Sequence, residues 1–272
     1  VVKIRLDEMR WPEVEELLTE PNVIILPIGS TEQHGRHLPL NTDTLSAVYF
    51  AEQVANRVAD EHGIRVVVAP TIPYGETRGT PPFSQMLPGT ISISGDTMVR
   101  LIEEVVRSLA AQGFKNILVL NGHLENTTPI ATALRRVFLD FPDAGLYGAN
   151  WFHLASDAWS QIRKGGKAGA GHSCEKETSI CLALQPQNVA LDEIVKGNRS
   201  FSLPDKYIFP MPAGPVFFHS RVSGTRESGV MGDPSAATRE SGEKLIAAVL
   251  DALTEVVVGI AKSEGMKHEE KP

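Results

Sequence analysis

The chain has 272 residues, 42% of them hydrophobic, enough for a large core and consistent with one sizeable α/β domain over residues 1–272. A formal net charge of −7 and the lack of any basic stripe argue against nucleic-acid binding. No apolar run approaches the roughly 18 residues that a membrane span requires.

Only two cysteines are present, Cys174 and Cys181, too few for a disulfide framework. On a helix they would sit about 10 Å apart along the axis, beyond disulfide reach. The first residues, VVKIRLDEMRW, contain no apolar signal core, so a cytoplasmic location is expected.

Met9 to Leu18 has apolar residues at helical spacing, with Pro12 tolerable in a first turn. NVIILPI, Asn22 to Ile28, reads as a strand buried on both faces. The following helix, with Thr42 or Asp43 as cap, presents Val48, Ala51, Val54, Ala55 and Val58 before Gly63 stops it. Arg65 to Pro70 is a second strand.

The next loop, residues 71–94, holds four prolines and three glycines and is long for a compact domain. Asp96 then caps a helix running to Gly113, and Asn116 to Leu120 is the third strand. A helix from about Thr128 to Phe138 and a fourth strand, Ala144 to Asn150, come next. After a glycine-rich loop, Lys164 to Gly171, a helix covers about Glu175 to Leu184; residues 185–222 are irregular. Asp233-Pro234-Ser235 opens the last helix, Ala236 to about Ile260, and the polar tail from Lys262 is expected to fray. Alternation of this kind implies a mostly parallel sheet covered by helices on both faces, with ligands bound outside the carboxyl ends of its strands.

Ionisable residues crowd those ends. Glu32, His34, His37 and Asp43 follow the first strand, His123 and Glu125 the third, and His172, Glu175 and Glu177 the glycine-rich loop. Unpaired charge is costly beside a core, so such groups are paired or hold a cation. In extended backbone Glu32 and His34 point the same way, and His123 and Glu125 repeat that spacing. With Asp43 they make two imidazoles and three carboxylates, richer in oxygen than a structural zinc site and suited to Zn²⁺ or Mn²⁺. A bridging carboxylate would let them serve two metals, an arrangement that activates water against a carbonyl.

His172 suits a proton shuttle, and Glu177, rather than Glu175 on an expected solvated Glu175–Lys176 face, is the group expected to orient it. His37 reads as a loop-ordering residue, Asn121 and Gly122 as turn residues, and Asn126 as a cap. Trp151 reads as packing from sequence alone. Cys174 is too near His172 in sequence to work as its nucleophile.

PIGSTEQHGRHLPLNTDT, the PGTIS piece at Pro88 to Ser92, NGHLENT, GHSCEKETSICLAL and GDPSAAT together resemble the creatininase (creatinine amidohydrolase) family over about residues 4–260. The resemblance implies a three-layer α/β/α sandwich, a homo-oligomer (a hexamer) and two divalent ions per subunit, Zn²⁺ and/or Mn²⁺ with Fe²⁺ as a further option. By motif position Glu32 and His123 would bind one ion, His34 and Glu125 the other, and Asp43 would bridge them. His172, Glu177 and Glu125 would be catalytic, and Trp151, Leu124 and Arg78 would meet a small-molecule substrate.

Creatininases proper have tyrosine at the position of Leu124 and tryptophan at that of Ala168, so the substrate expected here is a cyclic amide or related small carbonyl compound other than creatinine. A ring-opening hydrolase of a keto-inositol or sugar-derived ring, a formamide deformylase and a non-catalytic metal-stapled assembly protein are the alternatives. Arg78, Arg226 and Lys206 are candidates for an anionic group on the substrate.

Overall fold

The computed structural model describes residues 3–77, 87–166, 171–197 and 228–263. Among these residues four parallel strands form a sheet: β1 (Asn22–Ile28), β2 (Arg65–Val68), β3 (Asn116–Asn121) and β4 (Gly145–Asn150), in the order β2-β1-β3-β4. Eight α-helices accompany it among the described residues: α1 (Trp11–Leu17), α2 (Thr42–His62), α3 (Gly95–Ala111), α4 (Thr127–Asp140), α5 (Trp151–Leu154), α6 (Ser156–Ile162), α7 (Glu175–Leu184) and α8 (Arg239–Ser263).

Every residue of β1 is buried, because its alternate side chains feed two different cores. Val23 and Ile25 join Phe50, Val54, Trp151, Ile180, Leu245 and Val249, from α2, α5, α7 and α8. Ile24, Leu26 and Ile28 join Met98, Ile102, Val106, Ile130 and Val137, from α3 and α4. The result is the three-layer α/β/α arrangement expected from the alternation of strands and helices.

The strand order places the site. The chain passes from β1 to β2 on one side and then returns to β3 on the other, so the direction of winding reverses between β1 and β3. Ligand crevices open at such a reversal, outside the carboxyl ends of the two strands.

Four local expectations differ from the structure. Helix α2 begins at Thr42 with Asn41 before it and no side-chain cap, because the Thr42 hydroxyl donates to the Pro39 carbonyl (2.7 Å) and the Asp43 carboxylate turns inward. Ser94, not Asp96, caps α3: its Oγ accepts from the Thr97 N–H at 3.3 Å. Helix α8 starts at Arg239, because Asp233 folds back to accept from Ser235 N–H (2.9 Å) while Thr238 Oγ1 accepts from Ser241 N–H (3.1 Å) as the cap. The short helices α5 and α6 gave no sequence signal long enough to register as periodic.

Candidate metal centre

The segment after β1 is fastened before it reaches α2. Glu32 N–H donates to the Leu40 carbonyl (3.1 Å), Gln33 N–H to Thr90 Oγ1 (3.0 Å) and Ile91 N–H to the Thr31 carbonyl (2.9 Å). Helix α2 then carries Asp43 back against the ends of β1 and β3. Glycines make that approach feasible: a Cβ on Gly29 would stand 2.5 Å from the Thr44 backbone.

Asp43 is the shared member of the cluster. Its Oδ1 lies 3.1 Å from His34 Nε2 and its Oδ2 2.9 Å from His123 Nδ1. Glu32 Oε2 stands 3.3 Å from His123 Nδ1 and 4.0 Å from His172 Nδ1. Candidate ligand atoms lie within 4.8 Å of one another in three groups: Glu32, Asp43 and His123; His34, Asp43 and Glu177; and Glu32, His34 and His172.

Each of the two central histidines is held from behind by a backbone carbonyl. His34 Nδ1 is 3.0 Å from the Glu32 carbonyl, and His123 Nε2 is 3.0 Å from the Glu76 carbonyl. A carbonyl only accepts, so these contacts place a proton on His34 Nδ1 and His123 Nε2. The remaining lone pairs then face carboxylates, an arrangement that a cation or an added proton must relieve.

The buried atoms test whether a metal fits. Glu32 Oε2, His34 Nε2 and Glu177 Oε2 are buried without a hydrogen bond, and all three belong to these groups. Buried polar atoms are ordinarily satisfied, and here the unsatisfied ones are nitrogen and oxygen donors to a divalent ion. The donor set therefore fits metal, with Asp43 common to two ligand groups.

Electrostatics supports the fit. Burial opposes the charged form of His34, but Asp43, Glu177 and Glu32 outweigh it and push the imidazole up to about 10. His123 is raised despite burial by Glu125, Glu32 and Asp43. Burial raises Glu32 to about 8 and also raises Glu177, whereas the neighbouring histidines hold Asp43 low against its own burial. The carboxylates thus demand positive charge, which protons supply when no ion is bound.

The three sequence clusters meet here, with two changes of partner. Glu177, not Glu125, shares the space of His34 and Asp43. Glu125 lies at the rim, 34% exposed by its side chain, with Oε2 3.2 Å from His123 Nε2. His123 is extended and a 3₁₀ turn, Leu124–Asn126, begins immediately after it, so the alternation that would align His123 with Glu125 is lost.

Glu177 makes no hydrogen bond to His172 among the described residues; Gln33 holds that imidazole instead, through its carbonyl (2.7 Å) and its amide nitrogen (3.0 Å). Burial and the adjacent His34 push His172 down to about 3, so it stands neutral near pH 7. The expected solvated face is also absent: Glu175 is fully buried and accepts from the Lys164 and Gly165 N–H groups at 2.6 and 2.7 Å.

Trp151 is 3% exposed and packs in the core against Phe50 and Phe152. Leu124 is half-buried in its turn, and His37 orders the loop through Thr178 Oγ1 (2.9 Å). Arg78, Ala168, Lys206 and Arg226 lie outside the described residues. Sequence reading missed Gln33 and undervalued Asn126, whose amide accepts from Glu76 N–H and donates to the Gly29 carbonyl, both at 3.0 Å. Gln33 sits between two ligand types, yet strict alternation pointed it away from them.

A family described as creatinine amidohydrolase matches residues 7–257. The chain is 34% identical over 231 residues to the mycofactocin precursor peptide peptidase of Mycolicibacterium smegmatis, covering 84% of this chain and 81% of the relative. It is 29% identical to the 3-dehydro-scyllo-inosose hydrolase of Thermotoga maritima, covering 92% and 81% respectively. Among solved structures, a mutant creatininase of the Zn-Zn type superposes with a TM-score of 0.79 at 24% identity, covering 97% of this chain and 99% of the other.

Proposed function

The chain belongs to the creatininase family of hydrolases, and from that premise we propose that it cleaves an amide C–N bond with two divalent ions held by its strand-end cluster. The observation that carries this reading is Asp43, whose two oxygens face His123 and His34 in separate ligand groups. Glu32, Asp43 and His123 would hold one ion, and His34, Asp43 and Glu177 the other, each Zn²⁺ or Mn²⁺. Such ions supply Lewis-acid polarisation of the carbonyl and a lowered pKa for water.

The side chains do the rest. Glu125, the most exposed carboxylate of the cluster, takes the proton of the attacking water. His172 is neutral and turns Nδ1 toward Glu32, so it would receive the proton that Glu125 has taken and pass it to the nitrogen as the C–N bond breaks, leaving Glu125 ionised for the next water. The carbonyls of Glu32 and Glu76 keep His34 and His123 in the tautomers that leave ligand lone pairs free.

A cyclic amide is the substrate class that the sequence favours, with Leu124 leaving the creatinine-specific clamp incomplete. A second reading, a peptide amide, is favoured by the peptide peptidase relatives at 33–34% identity. Two buried free cysteines suit a cytoplasmic setting, and no helix among the described residues is long and apolar enough to cross a membrane. Family resemblance favours a homo-oligomer of this one-domain chain, which sedimentation measures.

The test is elemental analysis followed by a panel of cyclic amides, short peptides, formamides and ketocyclitols, before and after metal stripping. Loss of amide turnover on stripping and its return with Zn²⁺ or Mn²⁺ are expected. Full activity of stripped protein would overturn the metal reading; turnover of ketocyclitols alone would overturn the amide reading.

A further inference from the structure

Strand β3 ends at Asn121 and its neighbour β4 at Asn150, and these two asparagines stand opposite each other in the register. His123 lies two residues past that last rung, so its main-chain groups must be satisfied from elsewhere. The Asn121 side chain satisfies both. Its Oδ1 accepts from the His123 N–H at 3.0 Å, and its Nδ2 donates to the His123 carbonyl at 2.6 Å. An N–H only donates and a carbonyl only accepts, so the orientation of this amide is settled by its partners.

Asn121 is 1% exposed, and its Nδ2 carries two protons. One goes to the His123 carbonyl and the other to Asn150 Oδ1, at 2.8 Å. The Asn150 group facing Asn121 is therefore its oxygen, and Asn150 serves as an acceptor. Thr127 Oγ1, which donates to the Leu124 carbonyl at 2.7 Å, shares that proton with the same Asn150 oxygen at 3.2 Å.

One amide thus grips His123 on both sides of its Cα, in extended backbone with φ −126° and ψ 126°. The His123 carbonyl also accepts from the Asn126 N–H at 3.2 Å, so the grip extends to the start of the 3₁₀ turn. Removing the Asn150 oxygen would leave a buried N–H of Asn121 without its partner and free the amide to rotate. The residue next to His123 in the chain would then no longer fix where its imidazole stands.

We propose that Asn150, at the end of β4, is a positioning residue that acts through the Asn121 amide to hold His123 in place for the ion it would share with Glu32 and Asp43. The inference rests on the reading of those three residues as a metal site. The other group, His34, Asp43 and Glu177, is carried by the segment after β1 and by α2 and α7, outside this relay.

The test is chelator competition on Zn²⁺-loaded protein, with the visible absorption of the Co²⁺-substituted protein as a second readout. Asn150→Leu keeps the size of the side chain and removes the acceptor. Asn150 is half-buried and lines a cavity of about 540 Å³ beside β4, which leaves room for the change. The variant is expected to bind one of its two ions about 10–100-fold more weakly, the usual effect of losing an outer partner, with the other ion held within about threefold of wild type. Its Co²⁺ spectrum is expected to change. Asn150→Asp retains an oxygen acceptor for Asn121 and is expected to restore both the affinity and the spectrum, which a role in filling space alone would not require.

Wild-type affinity for both ions in Asn150→Leu would overturn the proposal, as would equal weakening of both ions or equal losses in the Leu and Asp variants. A wild-type protein that binds fewer than two ions would instead remove the two-metal reading beneath it. Should Asn150→Leu fail to fold, Asn150→Ala, which also lacks an acceptor, takes its place with the same expected loss at one ion.

Discussion

Gly122, the first residue after β3, lies so close to α2 that a Cβ placed on it would stand 2.2 Å from the Asp43 carbonyl oxygen. Neither backbone can yield without moving a candidate ligand, since Asp43 and His123 adjoin the contact. Gly122→Ala is expected to cost about 1–3 kcal/mol in stability, as overpacking does, and to lower metal content. Denaturant unfolding and elemental analysis read the two effects; a folded variant with normal metal would sink the idea.

The ligand groups separate two glutamates that sequence spacing treats differently. Glu177→Gln is expected to halve the metal stoichiometry, because Glu177 shares its group with His34 and Asp43. Glu125→Gln is expected to keep both ions yet lose activity by about 10²–10⁴-fold, as removal of a general base does. Asp43→Asn is expected to lose both ions with the circular dichroism spectrum preserved. Full occupancy in Glu177→Gln together with a lost ion in Glu125→Gln would reverse the assignment.

The Asn126 side chain bonds none of the candidate ligands, but it holds Glu76, whose carbonyl meets His123 Nε2. Asn126→Ala is expected to weaken metal affinity by about 10–100-fold, the usual effect of removing an outer partner. Competition with a chelator measures it, and unchanged affinity would show that the Glu76 carbonyl is held by other contacts.

The stripped protein should lose stability as pH rises. His34 titrates near 6.5 when unfolded and is raised to about 10 in the fold. The folded state therefore binds its proton more tightly, and this contribution, fully present below 6.5, is lost as pH rises through 10. Glu32, raised by burial to about 8, acts in the same direction from its unfolded value of 4.5. Urea unfolding at pH 6.5 and 9.5 is expected to show a marked fall for stripped protein and a smaller one with Zn²⁺ bound. Equal falls would contradict the view that ions replace the protons.

Burial of Glu175 leads to a stability effect unrelated to metal. Its carboxylate satisfies the Lys164 and Gly165 N–H groups at the end of the segment after α6. Glu175→Ala strands both donors and is expected to cost about 1–3 kcal/mol, read as a lower urea midpoint with an unchanged m-value. A change within error would mean that water replaces the carboxylate.

Much of the fold was legible because local chemistry is periodic. NVIILPI read as a strand with two covered faces, and the helices that became α2 and α3 announced their buried sides by spacing. Helix ends were read less well: Ser94 and Thr238, not Asp96 and the Asp233 turn, are the caps, since several hydroxyls and carboxylates nearby could each accept the first N–H groups.

The residue types of the site, and the gathering of Glu32, His34, Asp43, His123, His172 and Glu177, were implied by the sequence alone, because desolvated charge at strand ends requires a partner or a cation. Which atoms face which was decided only by the tertiary structure. The order β2-β1-β3-β4 sets β1 beside β3, and the 3₁₀ turn after His123 sends Glu125 to the rim. Helix α7 then delivers Glu177 to His34, and Gln33 turns across to His172. Gln33 and His172 stand 139 positions apart in the chain, and no local periodicity encodes a distance across the fold.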